Sequence, residues 1–346
     1  MIHSKDISVV LQGPVREETA VSILKCRSLL PDAEIILATW KGEHVEQIVG
    51  ADKVIEIEDI PLAFIQHKRL GVKNNLNRLI RSTKIGIKSA SRSYILKMRS
   101  DLILDSKNFL EAFETYSAKG RKTVLKHKVV IPLLFSRRAY RGNMTPFHLS
   151  DWAAFGLSED IKDIFLKTQE VPEPEFTEYF SSSKTSPFGS TTFRMSPEQW
   201  LFHSFFSRHY LKVMNDATDC NESIVTLSDE FIVSNFIVAD YNSTGFRLPK
   251  YSASIDEVSI GSEYLDLWNA LHYERKYRKF CDPHFQISQP TIERLYRHKK
   301  TFECRLRLKK HIIRLSSGDG ALETITEAVV VLVTFVKLIF FTILKK

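Results

Sequence analysis

Cysteine is scarce in this 346-residue chain, and its four residues, Cys26, Cys220, Cys281 and Cys304, lie far apart with no Cys-x-x-Cys pair. That spacing excludes a zinc cluster or a disulfide scaffold and leaves four reduced thiols as the expectation. Glycine and proline are few, 13 and 12, beside 43% hydrophobic residues, which excludes collagen-like, low-complexity and disordered chains. No Gly-x-Gly-x-x-Gly follows the first apolar run, no P-loop sequence occurs, and Gly-x-Ser-x-Gly is missing. The phosphate loops of dinucleotide oxidoreductases and P-loop kinases, and the nucleophile elbow of α/β-hydrolases, are thereby removed. The polar start and the short apolar run after it are too small for a secretory signal, so a cytoplasmic location is expected.

The body also lacks net charge. The formal charge is +8, yet nine Lys or Arg stand against one acid, Glu303, between Arg294 and Arg314, so residues 1–293 are formally neutral. A neutral globule with a basic appendage argues against a nucleic-acid-binding body.

Ile7 to Leu11 reads as a strand ending at Gln12-Gly13-Pro14, and Glu17 to Leu30 as a helix. Strands follow at Glu34 to Thr39 and Val54 to Ile57, a long helix over Leu70 to Ser89, a strand at Tyr94 to Met98 and a helix over Asn108 to Ala118. Alternating β and α elements imply an α/β fold, a mostly parallel sheet with helices on both faces. Beyond Lys122 the pattern loosens into Val129 to Phe135, a Phe147 to Gly156 segment and a Ser-, Thr- and Pro-rich stretch from Pro172 to Ser190, read as an acceptor region. An aromatic helix over Pro197 to Tyr210 and a strand within Glu230 to Ala239 complete the body.

Ligands of open parallel sheets sit beyond the carboxyl ends of the strands. Lys97, Arg99 and Asp101 alternate there, so on an extended strand they share one face. The set suits a diphosphate, with Asp101 holding a divalent cation and Arg99 or Lys97 neutralising the remaining charge, and Asp105 within reach to assist. A strand running out into water carries the same alternation. Asn74, Asn77 and Arg78 form an i, i+3, i+4 stripe flanked by Arg69, Lys73, Arg81, Ser82 and Thr83; it suits a base, sugar or phosphate, or a solvated helix face. Gln12-Gly13-Pro14 and Thr39-Trp40 close the first two strands at the edge where a nucleotide would lie, with the glycine permitting close approach.

Several ordered blocks carry a resemblance: residues 8–15 (SVVLQGPV), 30–40 (LPDAEIILATW), 74–83 (NNLNRLIRST), 94–104 (YILKMRSDLIL), 146–156 (PFHLSDWAAFG) and 196–200 (SPEQW). Together they resemble the WavE lipopolysaccharide-synthesis family of bacterial glycosyltransferases over roughly residues 5–205, with weaker signal to about 290. The resemblance implies a GT-A-like (Rossmann-like) domain over 1–290, its donor half about 1–125 and its acceptor half about 126–290. It further implies transfer of a sugar from a nucleotide-diphosphate donor to lipopolysaccharide or a related surface glycan. Arg99-Ser100-Asp101 then stands where such enzymes carry Asp-x-Asp, with a divalent cation, Mn²⁺ or Mg²⁺, on Asp101. Gln12, Gly13, Pro14, Thr39, Asn74, Asn77, Arg78, Lys97 and Arg99 would line the donor.

An inverting transfer needs a carboxylate to take the acceptor proton. Asp151 and Glu198 are the candidates; Trp152 offers a ring for the acceptor sugar, and Glu198 also suits a routine helix start. His148 and His203 read as packing residues. Residues 291–346 form a separate basic and apolar helical tail. Ala328 to Leu344 as a helix would span about 25 Å, short of a ~30 Å hydrocarbon core, and Glu323, Glu327, Thr334, Lys337 and Lys345 fall near one stripe. A helix lying on the membrane beside a headgroup-binding cluster is expected, making the protein peripheral on the inner face of the inner membrane, without nucleic acid as partner. The competing classes are a non-catalytic basic-tailed membrane or nucleic-acid binder, and a sugar nucleotidyltransferase.

Overall fold

The protein is described by a computed structural model, which covers residues 2–60, 65–67, 70–72, 75–140, 142–182, 186, 188–189, 192–249, 267–287 and 328–337, with isolated positions at 289, 293, 300, 304 and 308. It divides into one unit of residues 1–255 and 265–285 and a second of residues 256–264 and 286–346.

In the first unit, β1 (Ile7–Gln12), α1 (Glu17–Leu29), β2 (Glu34–Trp40) and β3 (Lys53–Ile57) open the chain as the alternation predicts. A hairpin of β4 (Ile65–His67) and β5 (Leu70–Val72) precedes α2 (Asn75–Lys88). The long helix therefore starts at 75 rather than 70, because Gly71 and the β-branched Val72 are poor helix formers. β6 (Tyr94–Arg99), β7 (Ile103–Leu104), α3 (Phe109–Thr115), β8 (Val129–Pro132), β9 (Ala139–Tyr140), β10 (Asn143–Met144), β11 (Ala153–Leu157) and α4 (Ser158–Leu166) follow. Next come α5 (Glu173–Ser181), α6 (Pro197–His209), α7 (Glu222–Asn235) and β12 (Phe236–Ala239). The stretch read as loose acceptor loop thus contains a helix, α5, which starts at Pro172-Glu-Pro174 where proline's fixed φ suits a first turn. The strand read within 230–239 is helix up to Asn235. Asn221 caps α7 by accepting the Ile224 N–H at 3.0 Å, and its β-branched run Ile232-Val233 packs as helix core before β12 begins.

Seven strands form one sheet in the order β12, β8, β11, β6, β1, β2, β3. All neighbours pair in parallel except those of β11, which runs antiparallel to β6 and β8. Every residue of β1 and β2 is buried, as for a sheet covered on both faces. Val10 and Ile36 pack with Leu76 and Ile80 of α2 and the phenylalanines of α6, while Val9, Leu11 and Leu37 pack on the other face with Ile23, Phe109 and Phe113. Period-2 alternation in β1 thus feeds two cores. The sheet runs continuously from residues of the first 125 to residues beyond 126, so both expected halves share it. All four cysteines are free thiols.

In the second unit, residues 328–337 are helical, with Val329, Leu332, Val333, Phe335 and Val336 exposed. Among the described residues no helix is long and apolar enough to cross a membrane.

Candidate active site

Because β2, β1 and β6 lie side by side in parallel register, their carboxyl ends finish together, with Gln12 opposite Ala38 on one side and Arg99 on the other. Gly13 leaves β1 with φ +122°, and a Cβ there would stand 3.0 Å from Ser100 Oγ, so only glycine turns the chain here. Ser100 ties the ends: its N–H donates to the Gln12 carbonyl at 3.0 Å and its hydroxyl to the Pro14 carbonyl at 2.7 Å. Ser82 of α2 donates to Gln12 Oε1 at 2.8 Å. The antiparallel β11 begins where β6 ends, and Arg99 N–H donates to the Trp152 carbonyl at 2.9 Å, which brings Asp151 and Trp152 to the same rim. Glu198 arrives on the first turn of α6, whose Ser196 cap accepts the Gln199 N–H at 3.1 Å.

These ends enclose a cleft of about 300 Å³. It gathers Gln12, Gly13, Pro14, Arg78, Arg99 and Asp101 from the expected donor set. Asp151, Trp152 and Glu198, the expected catalytic and acceptor residues, line the same cleft.

Other expected residues lie elsewhere. Lys97 is fully buried beneath the rim, where its ammonium donates to the Asp151 carbonyl, so it supports the floor instead of facing a donor. Thr39 is buried one residue short of the rim, and Trp40 takes its place. Asn77 clamps Val171 through both ends of its amide, each bond 2.8 Å, away from the cleft. Asp105 is held by Arg247 at 2.5 and 3.0 Å and by the Tyr241 hydroxyl at 3.0 Å, on a separate edge. Asn74, Arg69 and Lys73 lie outside the described residues. Trp152 is only 3% exposed, with Phe135 stacked 4.3 Å from its ring centroid and the Arg99 guanidinium 5.2 Å away, so it is no open platform for a sugar.

Charge in the cleft is arranged in pairs. Arg99 grips Asp101 with two parallel bonds, Nε to Oδ1 at 2.9 Å and Nη2 to Oδ2 at 2.7 Å, the bidentate geometry that makes such pairs strong. Arg16 Nε lies 3.8 Å from the same carboxylate, half exposed. Arg78 pairs with Asp59 at 2.9 Å and lies 4.7 Å over the Trp40 ring. Burial, and then the Glu198 carboxylate, push the Asp151 carboxyl above its ordinary range against the pull of Lys97 and Arg99. Burial likewise raises Glu198, since a carboxyl taken out of water favours its neutral form. Lys97 is pushed down to about 8 by burial, and His148, 3.8 Å from Glu198, down to about 3 by burial and by Arg137, which keeps it neutral. His203 is a packing residue, its ring bonded to Met214 N–H and Ser207.

The donor set does not fit a divalent cation on Asp101. Both carboxylate oxygens accept from the Arg99 guanidinium, whose charge neutralises Asp101 and would repel a cation beside it. Among the described residues no three His, Cys, Asp or Glu side chains come together to hold a metal.

Sequence reading missed Arg16, Asn75 and Leu79 as lining residues, and named Ser82 and Ser100 only beside the residues it expected to act. Asn75, Arg78, Leu79 and Ser82 follow i, i+3, i+4, i+7 spacing, the helical signal that a stripe begun at Asn74 placed one residue out of phase.

No curated protein matches the sequence. Among solved structures the chain is similar to TarS of S. aureus, at 12% identity and TM-score 0.33, covering 82% of this chain and 44% of that one. It therefore spans less than half the length of that structure. A Drosophila β1,4-galactosyltransferase 7 mutant in complex with manganese, UDP-Gal and xylobiose is similar at 13% identity and TM-score 0.25, over 51% of this chain and 60% of that one. A glycosyltransferase involved in glycosylation of the major capsid of PBCV-1 stands at 13% identity and TM-score 0.25, over 51% and 76%. The chain belongs to the WavE lipopolysaccharide synthesis family, whose model matches residues 7–309 and so runs past the boundary expected at 290.

Proposed function

We propose that this protein is a GT-A-like glycosyltransferase of lipopolysaccharide synthesis, which moves a sugar from a nucleotide-diphosphate donor to a lipid-linked bacterial glycan. The observation that carries the reading is the placing of three arginines and a buried carboxylate pair in one cleft at the carboxyl ends of parallel strands. Arg16, Arg78 and Arg99 face the diphosphate, while Gln12, Asn75 and Ser82 offer amide and hydroxyl groups to the base or sugar. The acceptor hydroxyl attacks the anomeric carbon, its oxygen forms the new glycosidic bond, and the bond to the diphosphate oxygen breaks with its electron pair leaving on the nucleoside diphosphate. The hydroxyl proton passes to Asp151. The Lys97 ammonium lies against the Asp151 backbone and attracts its carboxylate, which supports Asp151 as the group that receives the proton.

The basic stretch 294–314 and the exposed apolar residues of helix 328–337 support peripheral attachment to an anionic membrane on its cytoplasmic face. Lipopolysaccharide synthesis, by which the family is described, suits a lipid-anchored acceptor at such a surface.

Thermal-shift titration with UDP-, GDP-, CDP- and ADP-sugars tests the donor, since a ligand that binds only the native state raises the melting temperature. At least one should do so and should then release its nucleoside diphosphate on incubation with an acceptor glycan. A folded protein that binds none of them overturns the reading, and release of pyrophosphate replaces it with nucleotidyl transfer.

A further inference from the structure

We infer that a guanidinium, not a divalent cation, neutralises the leaving diphosphate in this cleft: Arg99, clamped by Asp101, occupies the place of the metal, with Arg16 and Arg78 at its sides. The inference rests on the nucleotide-donor reading above and names how that site handles charge.

The clamp is built by the sequence. Residue 99 ends β6 and residue 101 follows the turn, so Asp101 folds back onto the guanidinium of its own strand with two bonds of 2.9 and 2.7 Å. The ring of Trp152 lies 5.2 Å from the guanidinium carbon, and only about a quarter of the Arg99 side chain is exposed. Nε and one Nη2 hydrogen are spent on Asp101; the remaining N–H groups belong to a planar group held in position and lining the cleft. An ordered, permanently charged donor of this kind costs no reorganisation when charge grows on a leaving oxygen. A divalent ion on Asp101 would have to share the carboxylate with that cation, placing like charges within a few ångströms in a half-buried site, where their repulsion is poorly screened. Asp101 is accordingly a positioning residue. It orients Arg99, and its own charge is neutralised by the pair.

Arg78 is prepared similarly, fixed by Asp59 and the Trp40 ring, whereas Arg16 is half exposed and reaches Asp101 only at 3.8 Å. Two rigid guanidinium groups and one more exposed one thus surround the space between the ends of β1, β2 and β6. In the transfer step the glycosyl–oxygen bond breaks and its electron pair stays on the terminal phosphate. The diphosphate gains one negative charge, which Arg99 receives through hydrogen bonds already oriented.

The test is calorimetric titration of the full-length protein with UDP, GDP, CDP and ADP, in EDTA and again in excess Mn²⁺ or Mg²⁺. The nucleotide that binds should do so in EDTA with an affinity within about threefold of that in metal, a difference below 1 kcal/mol. Arg99→Ala should weaken it about tenfold or more in both buffers, with Arg99→Lys between, because a lysine restores charge without the fork. Asp101→Asn should weaken it equally in both buffers. Should Arg99→Ala fail to fold, the EDTA comparison on the unaltered protein and the Asp101→Asn pair still decide. Binding that requires the metal, or a metal enhancement that Asp101→Asn removes, overturns this inference and leaves the donor reading standing. No binding of any nucleotide by folded protein in either buffer overturns both.

Discussion

In and under the cleft, burial shifts the titration of Asp151, Glu198 and Lys97, and for the two acids this has a measurable consequence. Asp151→Asn removes the proposed proton acceptor while keeping shape, so turnover should fall about 10²- to 10⁴-fold while the affinity for the bound nucleoside diphosphate stays unchanged; an equal loss of affinity would show that Asp151 holds the donor instead. Because burial raises Asp151, the acid limb of the kcat/KM profile should lie above the ordinary carboxylate range. Stability follows the same shifts. An acid whose folded pKa is raised contributes stability below its unfolded pKa that is lost as pH rises through the folded value. Glu198→Gln should therefore stabilise the protein at pH 7 by about 0.5–2 kcal/mol, the gain vanishing as pH falls to about 4. Denaturant unfolding across that range checks it, and a gain that persists in acid would deny the cause. The alternation of Lys97, Arg99 and Asp101 is legible in the sequence, but their depth is not. Lys97 goes under the floor because α4 covers its side of the sheet, the Phe165 ring centroid 5.6 Å from the ammonium, and the Asp151 carbonyl accepts from it; contacts between residues more than fifty apart are invisible to local spacing.

At the scale of elements, α2 decides which side chains face the cleft. Its sequence shows an amphipathic helix, yet the starting residue sets the phase, and the hairpin before it moves that start to Asn75. Asn77 consequently faces Val171 and serves the packing of the following segment, while Asn75 faces the cleft. Asn77→Ala should cost about 1–3 kcal/mol, since it strips two hydrogen bonds from a half-buried strap, with nucleotide affinity unchanged. Asn75→Ala should do the reverse, leaving the unfolding midpoint in place and weakening the nucleotide severalfold. A swap of these effects would restore the phase read from the sequence. The same helix lies close on the sheet at Gly86, where a Cβ would stand 2.5 Å from Val10 Cγ1 and 3.2 Å from Ala38 Cβ. Gly86→Ala should then destabilise by about 1–3 kcal/mol through overpacking despite alanine's better helix propensity. β1, β2 and β6 were readable within a residue or two because buried parallel strands are near-continuous apolar runs, and the edge strand β3, where only Ile57 is buried, through its β-branched Val54, Ile55 and Ile57. Helix α7 was not, since Phe231-Ile232-Val233 suits a strand as well as a buried helix, and only the Asn221 cap ten residues earlier tells them apart.

On the scale of the whole molecule, charge is segregated: a body of no net charge carries the cleft, and the excess sits in residues 294–314. Such segregation makes the proposed membrane attachment separable by experiment from the chemistry of the cleft. Polybasic segments gain about 1 kcal/mol per Lys or Arg near an anionic surface, and that attraction decays over a Debye length of about 8 Å at physiological salt. Replacing Arg305, Arg307, Lys309 and Lys310 together by Glu turns four attractive charges into four repulsive ones. The unaltered protein should co-sediment with vesicles containing phosphatidylglycerol, less as salt rises, and not with purely zwitterionic vesicles. The quadruple variant should remain in the supernatant at every salt concentration, with its nucleotide affinity in solution unchanged. Transfer to an acceptor embedded in vesicles should fall, and transfer to a detergent-dispersed acceptor should not, because only the first depends on bringing the cleft to a surface. If the unaltered protein ignores anionic vesicles even at low salt, the basic stretch has another partner and membrane attachment is lost from the reading, while the chemistry of the cleft is untouched.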